Sequence, residues 1–457
     1  MIEPAAAKSS LPFLLGVALA LACGSSEPDS SDVGGGPASS GASGPGGADG
    51  LGVGGTGTGG SGGAPQGIGG PDVAFGDNGA LLTTLEVWPW SMVQDDQQRL
   101  VVFGIDTQDE GSIEVVRVAP DGSLDETFGR SGKKTLQIGV PGPSSSIGLA
   151  LGCALARPEG IYICGHAKDA ADASSGRPFV ARLRHQDGEL DPTFSGGVAW
   201  LDVPGAEALA FASTSTDDFL VHLGRPDAVD PTTTSTSVAR LTSNGAVDAS
   251  FGSEGFVHFP MTRRMGGVAL GCIAQTVDGL VRAIGAVAGD ENSGLVLLTA
   301  TSGGVAMTAP LSPAKGSPTG CAFDDQGSVT VWSTGIDNQG LLERFLATTA
   351  PDVSYGEQGT ATTQLESLQG ALAEANGQVF AAGRTANGFP TIRYVNQAGE
   401  VHPKAWQVAD ISAYYYAVLR QTDGKIVVAG DRDHDGQGNR WLVLARYVPP
   451  QEIPLPK

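Results

Sequence analysis

A short apolar strand that ends in glycine recurs seven times along this chain and constrains its fold more than any other feature. Four copies directly follow a residue pair that ends in glycine, which is typical of a β-hairpin because glycine accepts a positive φ at no steric cost. Each copy is therefore predicted to be the second strand of a hairpin. The copies are Arg99–Gly104, Ile161–Gly165, Phe219–Gly224, Leu280–Gly285, Ser328–Trp332 continuing to Gly335, Gln378–Gly383 and Lys425–Gly430.

A second strand, with an arginine at an alternating position, follows every copy except the fourth, where Thr299 takes its place. Next comes a turn of the form Asp-Gly-x-Leu-Asp-x-Thr-Phe-Gly, which is complete at Asp121–Gly129 and modified in other units. The arginines are Arg117, Arg182, Arg240, Arg344, Arg393 and Arg446.

Four of these arginines have an aspartate eight or nine residues later, inside the turn. The fourth unit lacks both the arginine and the Leu-Asp turn. Since the two charges are present or absent together, we interpret them as structural ion pairs that fix the turn. Their repetition also argues against catalysis, because catalytic groups are seldom needed in several copies. The pairs are Arg117 with Asp125, Arg182 with Asp191, Arg240 with Asp248 and Arg344 with Asp352.

This pattern resembles the bacterial delta-60 repeat, a unit of unknown biochemical role. The resemblance covers residues 71–447; it is specific in units one, two, three and seven and degenerate in units four to six. It implies a propeller-like all-β array, and it transfers no catalytic or ligand-binding residue.

The length of the unit independently favours an all-β fold. Each unit has about 45 to 65 residues and three or four strands, which is typical of a propeller blade, so we predict a seven-bladed β-propeller over residues 71–457. An open β-solenoid, whose coils are normally shorter, is the alternative. The last unit has no outer strand, whereas Ala80–Glu86 follows an early copy of the turn at Pro71–Gly79. We therefore predict that Ala80–Glu86 pairs with Trp441–Tyr447, which closes the ring and removes two exposed edges.

The first 70 residues predict export and anchoring. Residues 1–22 contain an apolar run, Leu11–Ala22, that follows Lys8 and is too short to span a bilayer, as in a signal peptide. The end of this run resembles a lipobox, so Cys23 is the predicted lipidation site; a plain secretory signal that contains a cysteine is the alternative. Residues 23–70 are rich in glycine, serine and proline, and we expect them to form a disordered tether.

A lipidated cysteine followed by a tether would place the propeller outside the cytoplasm. We therefore expect an outer-membrane lipoprotein of the bacterial cell envelope, held by its lipid anchor and monomeric. The net charge of −22 argues against a nucleic-acid partner, whose phosphates would be repelled, and against docking on anionic lipid.

The remaining four cysteines can form disulfides in an oxidising compartment. If residues 158–159 are the centre of their turn, Cys153 and Cys164 face each other in one hairpin. Cys272 and Cys321 each follow a glycine at matching places in adjacent units, so a bridge there would join two inner strands. Free buried thiols are the alternative.

The last unit contains a candidate calcium loop. Asp431, Asp433 and Asp435 alternate and are followed by Gly436, as at the start of an EF-hand loop, where Ca²⁺ takes oxygen ligands. The twelfth position is Leu442 instead of glutamate, and no flanking helices are predicted. Calcium is thus the one cofactor that the sequence suggests, and a solvated hairpin loop is the alternative.

No motif identifies a catalytic site. The chain has no Gly-x-Ser-x-Gly elbow, no P-loop before a helix and no closely spaced histidine pair. Three functions stay open: a surface-anchored binding or adhesion scaffold for a protein or glycan; an enzyme such as a carbohydrate-active hydrolase or lyase with Asp or Glu in the propeller mouth; and a structural envelope protein. The scaffold is favoured, because propellers present loops on rigid blades and a membrane tether needs no active site.

Overall fold

The computed structural model describes residues 69–449 with internal gaps, and the prediction of an all-β, seven-bladed propeller is confirmed in this part of the chain. Cys23 and the predicted tether up to residue 68 lie outside the described residues. No helix within the described ranges is long and apolar enough to cross a membrane. The gaps are 107–111, 139–144, 170–171, 215, 227–232, 264–271, 277, 288–293, 302, 305, 312–315, 325, 336, 375, 408–412 and 434–439.

Strands make up nearly all of the regular structure, and a 3₁₀ turn at Ser195–Gly197 is the described exception. The first strands are β1 (Gly70–Pro71), β2 (Ala80–Leu82), β3 (Val87–Gln94), β4 (Leu100–Asp106), β5 (Ile113–Val118), β6 (Lys133–Leu136), β7 (Ser145–Arg157), β8 (Gly160–Asp169), β9 (Asp172–Leu183), β10 (Val198–Trp200), β11 (Glu207–Ser213), β12 (Phe219–Pro226), β13 (Thr233–Leu241) and β14 (Phe256–Arg263). The later strands are β15 (Ile273–Gln275), β16 (Val281–Val287), β17 (Gly294–Ala300), β18 (Ala306–Pro310), β19 (Gly316–Phe323), β20 (Val329–Gly335), β21 (Gly340–Phe345), β22 (Thr360–Thr362), β23 (Ser367–Ala373), β24 (Val379–Arg384), β25 (Pro390–Val395), β26 (Trp406–Gln407), β27 (Tyr414–Arg420), β28 (Ile426–Asp433) and β29 (Arg440–Val448).

Each blade is an antiparallel meander of consecutive strands. Blades 1 to 6 take four strands each, in order from β3 to β26, and blade 7 consists of β27, β28 and β29 with β2 and β1. The first strands of neighbouring blades contact one another around the ring, in the order β3, β7, β11, β15, β19, β23, β27 and back to β3. These seven strands therefore surround the centre of the propeller.

The hydrophobic core lies between the blades, in seven clusters that each join one pair of neighbours. Strand β28 shows how one strand serves two clusters: Val427 and Ala429 pack toward blade 1, whereas Ile426 and Val428 pack toward blade 6. Successive side chains of a strand point to opposite faces, and here both faces are covered. This is why the recurring second strand is a continuous apolar run.

The two ends of the chain close the ring as predicted. Residue Ala80 pairs with Ala445 and Leu82 with Val443, so β2 becomes the outer strand of blade 7. Regular pairing stops at Leu82, earlier than the predicted Glu86. The paired chain begins at Gly70, opposite Val448, one residue before the predicted boundary of the tether. The open solenoid is excluded, because its ends would not meet.

Candidate functional site

The two ends of the ring carry different connections. The turn end, as we name it, holds the tight turns between strands one and two of each blade and the motif turns between strands three and four. The loop end holds the connections between strands two and three and those between successive blades. This separation follows from the alternating strand direction of an antiparallel meander.

The four predicted arginine and aspartate pairs meet at the turn end. In each pair, the aspartate Oδ2 atom faces the arginine. The Oδ1 atom accepts a hydrogen bond from the Ser or Thr hydroxyl two positions after the aspartate. The nitrogen to Oδ2 distances are 2.7 Å for Arg117 Nε and Asp125, 2.9 Å for Arg182 Nη2 and Asp191, 2.6 Å for Arg240 Nε and Asp248, and 3.5 Å for Arg344 Nε and Asp352.

Each of the four arginines lies over the aromatic ring of its own turn, and Arg117 also bonds to the next blade. Its guanidinium lies over the ring of Phe128, 4.3 Å from the centroid, and its Nη1 donates to the carbonyl of His185 in blade 2 at 2.8 Å. Burial alone would raise the pKa of Asp125, but hydrogen bonds from Thr127 and the charge of Arg117 lower it overall. The donors of the arginine are thus occupied by its own turn and by the next blade, as expected of a structural group.

The glycine and the aromatic residue of the motif also meet between blades. Gly122 has a φ of +88°, and a Cβ atom there would lie 2.8 Å from the ring of Phe75, which belongs to the turn of blade 7. The same contact joins Gly188 of blade 2 to Phe128 of blade 1. Blades 7, 1 and 2 thus each pack the aromatic ring of their turn on the turn glycine of the next blade, which explains why the two residues recur together.

Blade 4 lacks the motif arginine and takes one from the neighbouring strand. Arg282 on β16 pairs opposite Thr299, and its Nη1 donates to the carbonyl oxygens of Gly327 at 2.8 Å and Ala347 at 3.3 Å, both in blade 5. Arg282 could not be identified from the repeat pattern, because it lies on the second strand of its blade and the motif arginines lie on the third.

In blade 6 the predicted position of the arginine is wrong by one residue. The backbone N–H of His402 bonds to the carbonyl of Tyr394, as the N–H of Asp125 does to that of Arg117. Tyr394 therefore holds the motif position, and its ring contacts His402 at 6.3 Å. Arg393 points to the other face of the sheet.

Both predicted disulfides are confirmed. Cys153 and Cys164 are bonded in one hairpin with their Cα atoms 5.2 Å apart, and the central residues of its turn are 158–159, as predicted. Cys272 and Cys321 are bonded with a Cα separation of 5.7 Å and join blade 4 to blade 5. None of these four cysteines is a free thiol.

At the loop end, four side chains from blades 7 and 1 form what we call the loop-end cluster: Trp88, Tyr416, Asp431 and Arg440. Arg440 Nη1 lies 3.1 Å from Asp431 Oδ2 and donates to the Tyr416 hydroxyl at 3.2 Å, while that hydroxyl lies 3.4 Å from Asp431 Oδ1. The guanidinium is 5.1 Å from the ring centroid of Trp88. The cluster combines β3, β27, β28 and β29, so no local motif could have revealed it.

The electrostatics of the cluster keep its phenol neutral and its guanidinium charged. Burial, and then the charge of Asp431, raise the pKa of Tyr416 far above its ordinary value, so the phenol stays neutral. Burial alone would lower the pKa of Arg440, but interactions with Asp431 and Tyr416 raise it overall, so the guanidinium stays charged. The side chain of Arg440 is 36% exposed, whereas that of Asp431 is 1% exposed. A ligand would meet the ring and the guanidinium but not the carboxylate.

Two similar contacts lie on the side of blade 7 that faces blade 6. The guanidinium of Arg432 lies 5.2 Å from the ring centroid of Trp441. The guanidinium of Arg384 lies 4.5 Å from the ring centroid of Tyr414. All four side chains are half-buried. Flat rings and guanidinium donors thus flank the loop-end cluster, a combination that suits stacking and hydrogen bonding to a ligand.

The calcium prediction falls partly outside the described residues. Asp435 and Gly436 lie in segment 434–439, and only the backbone of Asp433 is described. Asp431 is engaged by Arg440, so a cation at this carboxylate would have to displace a guanidinium. The calcium loop remains a prediction.

Two other acidic groups of blade 1 are engaged by the protein itself. Asp95, Asp96 and His185 each have an atom capable of binding a metal ion, and these atoms lie within 4.8 Å of one another. The Asp95 carboxylate, however, already binds the Arg99 Nε at 2.7 Å. Burial raises the pKa of the Glu114 carboxyl. That residue is only 1% exposed, and its Oε1 accepts from the Thr135 hydroxyl. Neither group is placed to meet a substrate.

Comparison with known proteins supports a propeller-like repeat family. A family model described as a domain of unknown function (DUF5122) beta-propeller matches residues 99–128, 232–251 and 421–447, in blades 1, 3 and 7. No curated protein matches the chain.

Several solved structures are similar in fold. A streptogramin B lyase is 12% identical, with a TM-score of 0.48, over 80% of this chain and 96% of that one. A polysaccharide lyase is 10% identical, with a TM-score of 0.45, over 79% of this chain and 89% of that one. A puromycin hydrolase is 13% identical, with a TM-score of 0.43, over 76% of this chain and 50% of that one. At identities this low, similarity in fold carries no information about activity.

Proposed function

We propose that this protein is a membrane-anchored, extracytoplasmic propeller that binds a protein or glycan ligand with its loop end. The observation that carries the proposal is the loop-end cluster, in which Trp88 and Arg440 present a half-buried ring and a charged donor at the junction of blades 7 and 1. Aromatic faces stack on sugars and on other rings, and guanidinium groups add directional hydrogen bonds.

Binding fits this site better than catalysis does. The Tyr416 phenol is held neutral, and the Asp431 carboxylate is buried in an ion pair, so neither group serves as a nucleophile or base in this arrangement. The turn-end arginines, although repeated, are occupied by structural contacts.

The path of the chain supports display of the loop end away from a membrane. Strand β29 runs from the loop end at Arg440 to the turn end at Val448, and Gly70 pairs with Val448. The preceding segment therefore joins the propeller at the turn end. If Cys23 carries a lipid and residues 24–69 form a flexible coil of about 35 to 40 Å, the loop end faces outward. We further propose that the protein lies in the bacterial envelope and is a monomer with delta-60-like repeats.

Ligand capture from envelope fractions and glycan arrays tests the binding proposal. We expect Trp88→Ala to weaken binding about tenfold or more, because it removes a stacking face. Trp200→Ala is the matched control, since Trp200 also contacts a guanidinium, that of Arg177 at 5.8 Å, but lies on an outer strand of blade 2. Equal loss in both variants would contradict a site at the loop-end cluster. Chemical turnover of a captured glycan would instead support the enzyme alternative.

Membrane anchoring is tested separately. Mass spectrometry of the mature protein should show a diacylglyceryl-modified Cys23, and Cys23→Ala should release the protein from the membrane fraction. A Cys23→Ala protein that stays in that fraction after a high-salt wash would contradict the lipid anchor.

A further inference from the structure

A small cleft opens at the loop end of blade 3, away from the loop-end cluster. Its volume is about 110 Å³, and its apolar lining includes Val203, Ala206 and Leu223. The first two belong to the connection from blade 2 to blade 3, and Leu223 is a buried residue of β12.

Polar side chains also line the cleft, because of the strand register. Leu223 pairs opposite Ser237, and Ser237 opposite His258, while Arg225 pairs opposite Ser235. Residues directly opposite each other in neighbouring strands share one face of a sheet. The hydroxyl groups, the imidazole and the guanidinium are therefore brought to the face that also carries Leu223.

The polar groups of the cleft are suited to an anion. Ser237 Oγ lies 2.8 Å from His258 Nδ1, which holds the exposed imidazole in place. Arg225 is exposed and forms no ion pair with a described carboxylate, in contrast to Arg117, Arg182 and the other motif arginines. The lining residues include no aspartate or glutamate, although the chain has 49 acidic residues and a net charge of −22.

We propose that this cleft binds the carboxylate end of a small aliphatic ligand. The alkyl part would lie on Val203, Ala206 and Leu223, and the carboxylate would accept hydrogen bonds from Arg225 and from the Ser237 and His258 pair. A cavity of roughly 150 Å³ holds a benzene molecule, so about 110 Å³ suits a chain of three or four carbon atoms. This site goes beyond the proposed function, since it involves blade 3 and not the loop-end cluster.

Titration of the full-length protein with propionate, followed by the chemical shifts of the His258 ring in NMR spectra, tests the proposal. We expect the shift to be half-maximal at a propionate concentration of ~1 mM, an affinity that a ligand with so few atoms can reach. Propanol and propylamine, which share the alkyl part but lack the carboxylate, should give no saturable shift. A response to all three compounds would overturn the assignment of a carboxylate site.

Arg225→Gln should weaken propionate binding about tenfold or more, the loss expected for a charge-assisted hydrogen bond. Arg184→Gln is the matched control, because Arg184 is an exposed arginine at the turn end. Unchanged affinity in Arg225→Gln, or equal loss in both variants, would overturn the proposal.

Two acidic residues that follow Arg225, Asp227 and Asp230, lie outside the described residues. Repeating the titration in an Asp227→Asn/Asp230→Asn background removes any competing carboxylate of the chain itself. Absence of a saturable shift in this background also would overturn the proposal. Because the measurement uses propionate and blade 3 variants, its failure would leave ligand capture by the loop-end cluster unaffected.

Discussion

Arg446 and Asp72 lie 374 positions apart in the chain and form a buried ion pair, with Arg446 Nε 2.8 Å from Asp72 Oδ2. The pair has the same form as those inside blades 1, 2, 3 and 5, and its arginine lies over Phe75 at 4.4 Å. Burial would raise the pKa of Asp72, but the charges of Arg446 and Lys425 lower it overall. A contact that fixes a local turn elsewhere therefore holds the two chain ends together in blade 7.

Asp72→Asn should lower the free energy of unfolding by roughly 3 kcal/mol, because it leaves a buried guanidinium without its counter-charge. Urea denaturation measures this loss. Asp202→Asn is the control, since that aspartate is 87% exposed beside Arg177 and should change stability by less than about 0.5 kcal/mol. Similar values for the two variants would show that closure does not depend on the ion pair.

Deletions provide a second test of the same closure. Removing residues 70–86 should unfold or oligomerise the propeller, because β29 would lose its outer partner and expose an edge. Removing residues 24–69 should leave the melting temperature unchanged. A stable monomer after the first deletion, measured by light scattering and calorimetry, would contradict the dependence of blade 7 on both chain ends.

Arg282→Gln should destabilise the protein by about 1 to 3 kcal/mol, because two carbonyl acceptors in blade 5 lose a charged donor. Introducing Thr299→Arg into this variant places an arginine at the motif position and should restore part of the loss. Chemical denaturation of the single and double variants measures the recovery. If Thr299→Arg gives no recovery, Arg282 is not a replacement for the missing motif arginine.

The two disulfides should contribute unequally to stability. Cys272 and Cys321 are separated by 49 positions, whereas Cys153 and Cys164 are separated by 11. In the chain-entropy account, the longer loop adds about 1 kcal/mol of stabilisation. Urea curves of the two double Cys→Ala variants should differ by that amount, and an equal or reversed order would contradict this account.

His222 should make the propeller sensitive to mild acid. It is 1% exposed between Ala210 and Val238 in the cluster of blades 3 and 4, and burial lowers its pKa to about 4. As the pH falls, the His222 ring of the unfolded chain binds a proton at about pH 6.5, whereas the buried ring of the folded protein stays neutral until about pH 4. The free energy of unfolding is therefore full above about pH 6.5 and decreases as the pH falls toward about 4. The loss is roughly 3 kcal/mol at 1.36 kcal/mol per pKa unit.

Urea denaturation between pH 7 and pH 4 measures this dependence. His222→Leu should remove that part of the slope, whereas His258→Gln, which changes an exposed imidazole, should keep it. Parallel pH profiles for the wild type and His222→Leu would contradict titration of the buried ring.

Much of the fold could be predicted because its information is local and repeated. The register of the hairpin that contains Cys153 and Cys164 follows from the turn between them, and the early turn at Pro71–Gly79 shows which strand blade 7 lacks. Blade 6 shows where this reasoning fails. Residue type makes Arg393 the counterpart of the other arginines, but a shift of one position moves a side chain to the opposite face of a strand.

The loop-end cluster and the cleft of blade 3 could not be predicted, because their side chains come from different strands. Trp88 and Arg440 are brought together only when β29 closes against blade 1. Arg225 and His258 meet through the register of three strands and through a connection from blade 2 that covers Leu223. Neither arrangement leaves a spacing that can be recognised along the chain.

The sequence by itself determined the number of blades, the turns and the charge pairs within them, since each depends on residues only a few positions apart. The tertiary structure decided which residues the blades share: Arg282 serving blade 5, Asp72 completing blade 7 and Arg440 lying over Trp88. The physical reason is that every blade covers both faces of its sheet with its neighbours. The contacts that join blades are therefore set by the closed ring, not by the repeat.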